Sequence, residues 1–207
     1  MLRVATAGLI VTSFIAGSVS LARGGDEDTR PGRAARGTAA WFVHETGENE
    51  VEALLATGQL KQEEVSGVFV KLTAADTSEV VITSDSGQIM DTCAMVDHAS
   101  RRGTVIKKEV FCGNSPYYAP ELRAARGSKA WIALESIEHV VRAAIIKTPA
   151  IESTITSGES VLAQDGKSAT VTIGLADGTS SAYLCTVYMS SSQGGTIQKA
   201  DLRCAAQ

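Results

Sequence analysis

Part of this sequence occurs twice, and that repetition limits the possible folds more than any other feature does. Residues 33–57 align without gaps with residues 123–147, and 11 of the 25 aligned positions are identical. The four cysteines repeat as well, because each half of the chain carries two of them, 19 residues apart. A segment that recurs in this way is typically one supersecondary unit. The chain is therefore predicted to consist of two tandem copies of one unit.

Composition divides the chain into five segments. Residues 1–22 combine a basic residue, an apolar run and a Ser-Leu-Ala end, which is the layout of a cleaved secretory signal peptide. A retained anchor is the alternative, but the run is shorter than the about 20 apolar residues that a spanning helix needs. Residues 23–36 are rich in glycine and charge, which predicts a flexible polar leader. Repeat unit 1 covers 37–115, a linker covers 116–122 and repeat unit 2 covers 123–207.

Within each unit the pattern changes from helical to strand-like. Apolar residues recur at spacings of three and four from Trp131 to Ile145, which predicts an amphipathic helix that ends before Pro149. The first unit contains Gly47, so its helix is predicted to be shorter or broken, and an edge strand around Trp41 is the alternative. Strand-like runs separated by turn residues follow in both units. The predicted fold class is α+β, with two tandem repeats that each pack a helix on a small antiparallel β-sheet.

The spacing of the cysteines fits two β-hairpins. If Cys185 faces Cys204, the numbers of cross-strand partners sum to 389, and Gly194-Gly195 becomes a two-residue turn. The same arithmetic in the first unit gives a sum of 205 and a turn at Arg102-Gly103, where Arg102 tolerates a positive φ poorly. Structural bridges are favoured over a redox or metal site because there is no Cys-x-x-Cys spacing. The predicted disulfides are Cys93–Cys112 and Cys185–Cys204.

This register assigns the two faces of each hairpin. The mostly polar face includes cross-strand pairs such as Tyr188 opposite Asp201. Trp41 and Trp131 occupy equal repeat positions and are predicted to anchor the core of each unit. The face that carries the cysteines is predicted to be the core side, with Met95, Ala99, Ile106 and Val110 in the first hairpin and Val187, Met189, Ala200 and Leu202 in the second.

The sequence offers only weak catalytic candidates. None of the three histidines has a histidine at the aligned position of the other unit. Asp97, His98 and His139 are the candidates for a hydrolytic site private to one unit, but no Gly-x-Ser-x-Gly elbow accompanies them. The repeated acids Glu45 and Glu135 are interpreted as capping or surface residues. No phosphate-binding glycine loop and no zinc-ligand spacing occurs, so neither a cofactor nor a metal is expected.

Charge and compartment point to a binding protein. The net charge of −4 argues against a bulk nucleic-acid binder, and no membrane span is expected after signal cleavage. We expect a secreted or periplasmic, non-catalytic binding protein, inhibitor- or adhesin-like, with a protein or cell-surface partner. An exported hydrolase with a site at the junction of the repeats, or an envelope structural protein, is the alternative. The binding candidates are residues at or near the hairpin tips: Arg101, Arg102, Tyr188, Ser191 and Gln193.

In organisation, the predicted chain resembles the secreted β-lactamase inhibitor proteins. These are also tandem helix-plus-sheet repeats with a disulfide in each repeat. The resemblance extends over both units, but it rests on their arrangement and not on a motif matched residue by residue. Because no such motif matches, the chain is not assigned to that family.

Overall fold

The computed structural model describes residues 32–113, 123–191 and 197–207. The signal peptide, most of the polar leader, the linker at 116–122, Gln193 and the Gly194-Gly195 turn lie outside these ranges. No described helix is both long enough and apolar enough to cross a membrane.

The protein has an α+β fold with two helices and one antiparallel sheet of eight strands. The strand order is β4-β3-β2-β1-β5-β6-β7-β8, and every neighbouring pair is antiparallel. Each half of the chain has one helix followed by four strands, and a short 3₁₀ helix, Pro149–Ser153, follows the second helix. The elements are α1 Ala39–Ala56, β1 Val65–Leu72, β2 Thr77–Ser84, β3 Gly87–Ala99, β4 Val105–Cys112, α2 Lys129–Lys147, β5 Ile155–Leu162, β6 Ser168–Leu175, β7 Ser180–Ser191 and β8 Ile197–Ala206.

The strands of the two halves meet at a central seam, defined here as the pairing of β1 with β5. Residues 67–71 of β1 pair with residues 157–161 of β5. The sequence pattern predicts two small sheets, whereas the structure has one continuous sheet. The physical reason is that β1 and β5 would each be an exposed edge in a separate sheet, and pairing them satisfies their backbone hydrogen-bonding groups.

Helix α1 is continuous, so the prediction of a shortened or broken first helix is wrong. It runs for 18 residues, and Gly47 lies within it on the buried side against Val68 and Val70. Tertiary packing therefore outweighs the weak helix propensity of glycine. Both helices begin with a hydroxyl cap: the Thr38 and Ser128 side chains accept a hydrogen bond from the backbone N–H three residues later.

Both helices pack on the same face of the sheet, and the core lies between the two layers. Val43 of α1 and Ile137 of α2 meet above Gly158 of β5, where an added Cβ would lie 3.0 Å and 3.1 Å from their side-chain carbons. The glycine thus lets two helices approach one strand at the seam. Fully buried side chains of this core include Phe42, Val51, Val68, Val70, Ile82, Ile132, Val140, Ile155, Val171 and Ile173.

The disulfides join directly opposed residues of the two outer hairpins. Cys93 bonds to Cys112 between β3 and β4, and Cys185 bonds to Cys204 between β7 and β8. These are the cross-strand pairs that the hairpin arithmetic gives. Because β4 and β8 are the two edge strands, each edge of the sheet is held covalently to its neighbour.

The turn between β3 and β4 differs from the two-residue turn predicted at Arg102-Gly103. The register shifts after His98, and Ser100 N–H donates to Thr104 C=O, which leaves a three-residue loop, 101–103. Gly103 alone takes the positive φ, at 79°, and Gly103 N–H donates to Ser100 C=O. A two-residue turn of the predicted kind needs positive φ at both central positions, and Arg102 adopts this conformation poorly.

The predicted core side of the hairpins is correct near the disulfides and wrong near the tips. Val110, Val187, Ala200 and Leu202 are buried, and Met95 is partly buried against the core. Ala99 and Met189 are exposed. Ala99 also pairs with Val105 instead of Ile106, whose side chain lies outside the described part.

The two tryptophans differ in burial. Trp41 is buried, as expected for a core anchor, whereas Trp131 is only partly buried. The guanidinium of Arg36 lies 6.0 Å from the Trp41 ring, and that of Arg126 lies 5.8 Å from the Trp131 ring.

Candidate functional site

Both described helices lie on one face of the sheet, and we call the other face, which no described helix covers, the open face. Its side chains alternate along each strand with those that point into the core. Across the first half, the register places Phe69, Val81 and Met90 in one row of β1, β2 and β3. These residues form an apolar row on one side of the seam.

Across the seam, Phe69 pairs with Glu159, and the exposed apolar residues lie in the next row, where Val161 pairs with Gly67. Val161 of β5 pairs with Thr170 of β6, which pairs with Leu184 of β7, and these three lie in one row of the open face. Met90 is 71% exposed, Val161 49% and Leu184 45%. Large apolar side chains exposed together on one surface are typical of interaction sites. We call Phe69, Val81, Met90, Val161 and Leu184 the apolar band.

Charged and polar side chains surround the apolar band. Lys71 and Glu79 are cross-strand partners on β1 and β2. At the β7–β8 edge, Tyr188 pairs opposite Asp201, and the Arg203 guanidinium lies 4.8 Å from the Tyr188 ring. An apolar centre with a polar rim is the usual composition of a protein–protein interface.

The structure does not bring the three catalytic candidates together. Asp97 and His98 are consecutive residues of β3, so their side chains point to opposite faces. Lys108 Nζ donates to Asp97 Oδ1 at 2.6 Å, and His98 Nε2 lies 2.7 Å from Glu109 Oε2. His139 lies in the other half, on α2, which packs mainly on β5 and β6.

A contact between Lys107 and Glu109 accounts for the lowered pKa of the Glu109 carboxyl, which lies beside His98. The hydrogen bond from Lys107 lowers the pKa of Glu109, and the nearby His98 acts in the same direction. These groups are typical of charged pairs on an exposed strand and do not form a nucleophile–base arrangement.

The predicted binding residues fall at two distant corners of the sheet. Arg101 and Arg102 are exposed in the β3–β4 loop. Tyr188 is 52% exposed and Ser191 ends β7. Because β3 and β7 run in opposite directions, their hairpin tips point to opposite ends of the sheet. Of these candidates, Tyr188 belongs to the open face, and Arg101 and Arg102 do not share a site with it.

A second cluster of polar groups lies in the groove between the helices. His44, Glu45 and Glu48 of α1 place their ligand-type atoms within 4.8 Å of one another. His44 Nε2 lies 3.9 Å from Glu48 Oε2 and 3.7 Å from Glu138 Oε2 of α2. We call these four residues the interhelical cluster. Burial raises the pKa of Glu45, and the neighbouring Glu48 carboxylate raises it further.

The sequence contained a signal for this cluster that its interpretation missed. Glu45 and Glu48 align with Glu135 and Glu138 in the repeated segment. Burial also raises the pKa of Glu135, with Glu138 as the next cause. The aligned acids therefore meet in one groove instead of serving as separate surface or capping residues.

A further buried carboxyl, that of Glu50, lies beneath α1. Glu50 is only 3% exposed, and its carboxyl is hydrogen-bonded to that of Asp91 on β3. A carboxyl oxygen of Glu50 and both sulfurs of the Cys93–Cys112 bridge lie within 4.8 Å of one another. Burial, followed by repulsion from Asp91, raises the pKa of Glu50 to about 7.

Comparisons with known proteins give no relative for this chain: no family model, no curated protein and no solved structure matches it.

Proposed function

We propose that this is an exported, non-catalytic binding protein, inhibitor- or adhesin-like, that holds a folded protein partner against its open face. The observation that carries the proposal is the exposed apolar band on a sheet face that neither described helix covers. Of the catalytic candidates, Asp97 and His98 lie on β3 and His139 lies on α2 in the other half, which favours binding over catalysis.

The size of the open face fits a protein partner. Eight strands spaced by about 4.8 Å span about 34 Å, and a strand of eight residues is about 27 Å long. The resulting area of about 900 Å² is close to the about 800 Å² that each partner contributes to a standard protein–protein interface. The charges of the rim have mixed signs, which suits a protein better than a polyanion such as a nucleic acid.

We also propose that the chain arose by tandem duplication and that it is exported. The same order of helix and four strands in each half, together with the repeated sequence segment, supports two copies of one ancestral unit. Two disulfides fit an oxidising compartment such as the periplasm or the extracellular space. A partner that meets the protein there is therefore itself exported or displayed at a cell surface.

Site-specific photo-crosslinking in the organism of origin tests the open face directly. A photoreactive residue is placed at Met90 or at Leu184, one on each side of the seam. Ala143, exposed on α2 in the helix layer, is the control position. We expect an adduct of the same added mass at both open-face positions and none at the control position. An additional Val161→Asp substitution, which puts a charge into the apolar band, should abolish both adducts.

Three results would overturn the proposal. One is the absence of adducts at both open-face positions under conditions in which the protein is exported. Another is an equal yield at Ala143, which would show non-selective capture. The third is an adduct of exactly twice the chain mass, which would identify a second copy of this chain as the occupant instead of a different protein.

A further inference from the structure

A cavity of about 300 Å³ lies between α2 and the edge strand β8. Trp131, Glu135 and His139 form its helix side. They follow one another at intervals of four residues, so they share one face of α2. Residues 200–203 of β8 form the opposite wall, and Arg126 also lines the cavity. The cavity is therefore a groove beside an edge of the sheet, and we call it the edge groove.

The register of the outer hairpin shows which backbone groups of β8 point away from the sheet. The Cα atoms of Cys185 and Cys204 are 4.0 Å apart, which is typical of an antiparallel pair that exchanges no backbone hydrogen bonds. The N–H of Val187, the partner of Leu202, donates on the side away from β8. Because the pattern alternates along the strand, the N–H and C=O groups of Ala200, Leu202 and Cys204 point outward. They are available to a further strand at this edge.

The first half of the chain fills the corresponding space with a side chain. The repeated cysteines align Lys108 with Ala200 and the repeated segment aligns Gly37 with Gly127. A Cβ built at Gly37 would meet the side chain of Lys108, whereas one built at Gly127 would lie 3.8 Å from the methyl group of Ala200. Alanine therefore leaves space in the second half where the first half has a lysine.

The charges around the edge groove suit an acidic ligand. Arg126 and Arg203 both line it and are exposed. Asp201 lines it too, but Lys199 Nζ lies 2.9 Å from Asp201 Oδ2 and offsets that charge. Glu135 is the remaining acid, and burial raises its pKa more than the nearby Arg126 lowers it. A ligand carboxylate can therefore pair with an exposed guanidinium here.

We propose that the edge groove binds an extended peptide segment of another protein, which adds a strand at β8 and places an acidic side chain against Arg126. Backbone hydrogen bonds to the outward groups of β8 hold the segment, and alternate side chains enter the cavity beside Trp131. The helix side, from Trp131 to His139, is about 12 Å long, which matches about four residues of extended chain. This site lies at the sheet edge and does not depend on the open face.

Selection from a random heptapeptide library displayed on phage tests the edge groove, with counter-selection on Ala200→Lys. This variant introduces the residue that the first half carries at the aligned position, and circular dichroism checks that it folds. We expect peptides that bind the wild type but not the variant, with an acidic residue among β-branched ones. If Ala200→Lys does not fold, Arg126→Gln serves for counter-selection.

Fluorescence polarisation with the most enriched peptide, made synthetically, measures the contribution of Arg126. Arg126→Gln should weaken binding about tenfold or more, because a charge-assisted hydrogen bond is lost. Arg36→Gln is the matched control, since Arg36 is the aligned exposed arginine of the first half, and it should bind as the wild type does. Changing the acidic residue of the peptide to its amide should weaken binding to the wild type but not to Arg126→Gln. Methylating every second backbone nitrogen of the peptide should abolish binding in one of the two phases only, because alternate N–H groups face β8.

Three results would overturn the proposal. One is a selection that yields no peptide able to distinguish the wild type from the folded counter-selection variant. Another is a peptide that Arg126→Gln binds as tightly as the wild type does. The third is a wild-type dimer in light scattering that Ala200→Lys does not form and that the peptide does not dissociate, which would assign the edge to a second copy of this chain.

Discussion

The carboxyl pair beneath α1 should make the protein less stable as the pH rises through neutrality. Glu50 is 3% exposed and shares a hydrogen bond with Asp91. Burial raises its pKa from 4.5 to about 7, so the folded protein holds a proton there that the unfolded chain has already released. Between these two values the folded state binds more protons, and the free energy of unfolding falls with increasing pH.

The size of the effect follows from the shift. Each pKa unit corresponds to about 1.4 kcal/mol, so Glu50 costs the folded state about 3 kcal/mol above pH 7 relative to pH 4. The full stability is present below pH 4.5 and is lost by the time the pH exceeds about 7. Glu50→Gln removes the ionisable group and keeps a hydrogen-bond donor toward Asp91. This variant should therefore be more stable than the wild type at pH 8, by up to about 3 kcal/mol.

Urea unfolding at half-unit steps from pH 4.5 to pH 8, followed by circular dichroism, measures this difference. Glu63→Gln, at an exposed carboxyl, is the control and should follow the wild type throughout. Comparing the variant with the wild type isolates Glu50, because Glu52 titrates equally in both proteins. Parallel curves for wild type and Glu50→Gln across this range would refute the reasoning.

Two further predictions concern the paired halves. Replacing Cys185 and Cys204 by alanine opens a loop closed over 19 residues and should cost about 3 kcal/mol in urea unfolding; a loss below about 1 kcal/mol would contradict this. Thr46 and Ser78 hydroxyls share a buried hydrogen bond of 2.9 Å, whereas the aligned Ser136 hydroxyl is buried without a partner. Ser78→Ala should therefore destabilise by about 1–3 kcal/mol, and Ser136→Ala should be neutral or stabilising in thermal unfolding; equal losses would contradict the difference.

Local sequence patterns were sufficient to predict several elements of the fold. The α2 stripe from Trp131 to Ile145 lies in the helix Lys129–Lys147, which ends before Pro149 as predicted. Opposed cysteines gave the register of β3 with β4 and of β7 with β8 because side-chain alternation fixes a hairpin once one pair is known. These features depend on residues that are close in the chain.

Features that depend on distant residues were not accessible in the same way. The seam joins β1 to β5, and a strand pattern does not state which edge its strand will meet. The interhelical cluster requires Glu138 to lie beside His44, which follows only from the packing of α2 against α1 on one face. Gly47 misled the prediction of α1 because propensity scales describe an isolated helix and omit its burial on the sheet.

The strands of the sheet are held together by different kinds of links at its edges and at the seam. Outer strands are normally the first part of an open sheet to fray, but here each is joined to its neighbour by a disulfide. The seam, in contrast, is the shortest ladder, pairing residues 67–71 with 157–161 without a covalent link. Val43 and Ile137 span it from above. Chemical reduction should therefore loosen the two outer hairpins and leave the midline, which depends on backbone pairing and on helix packing, unchanged.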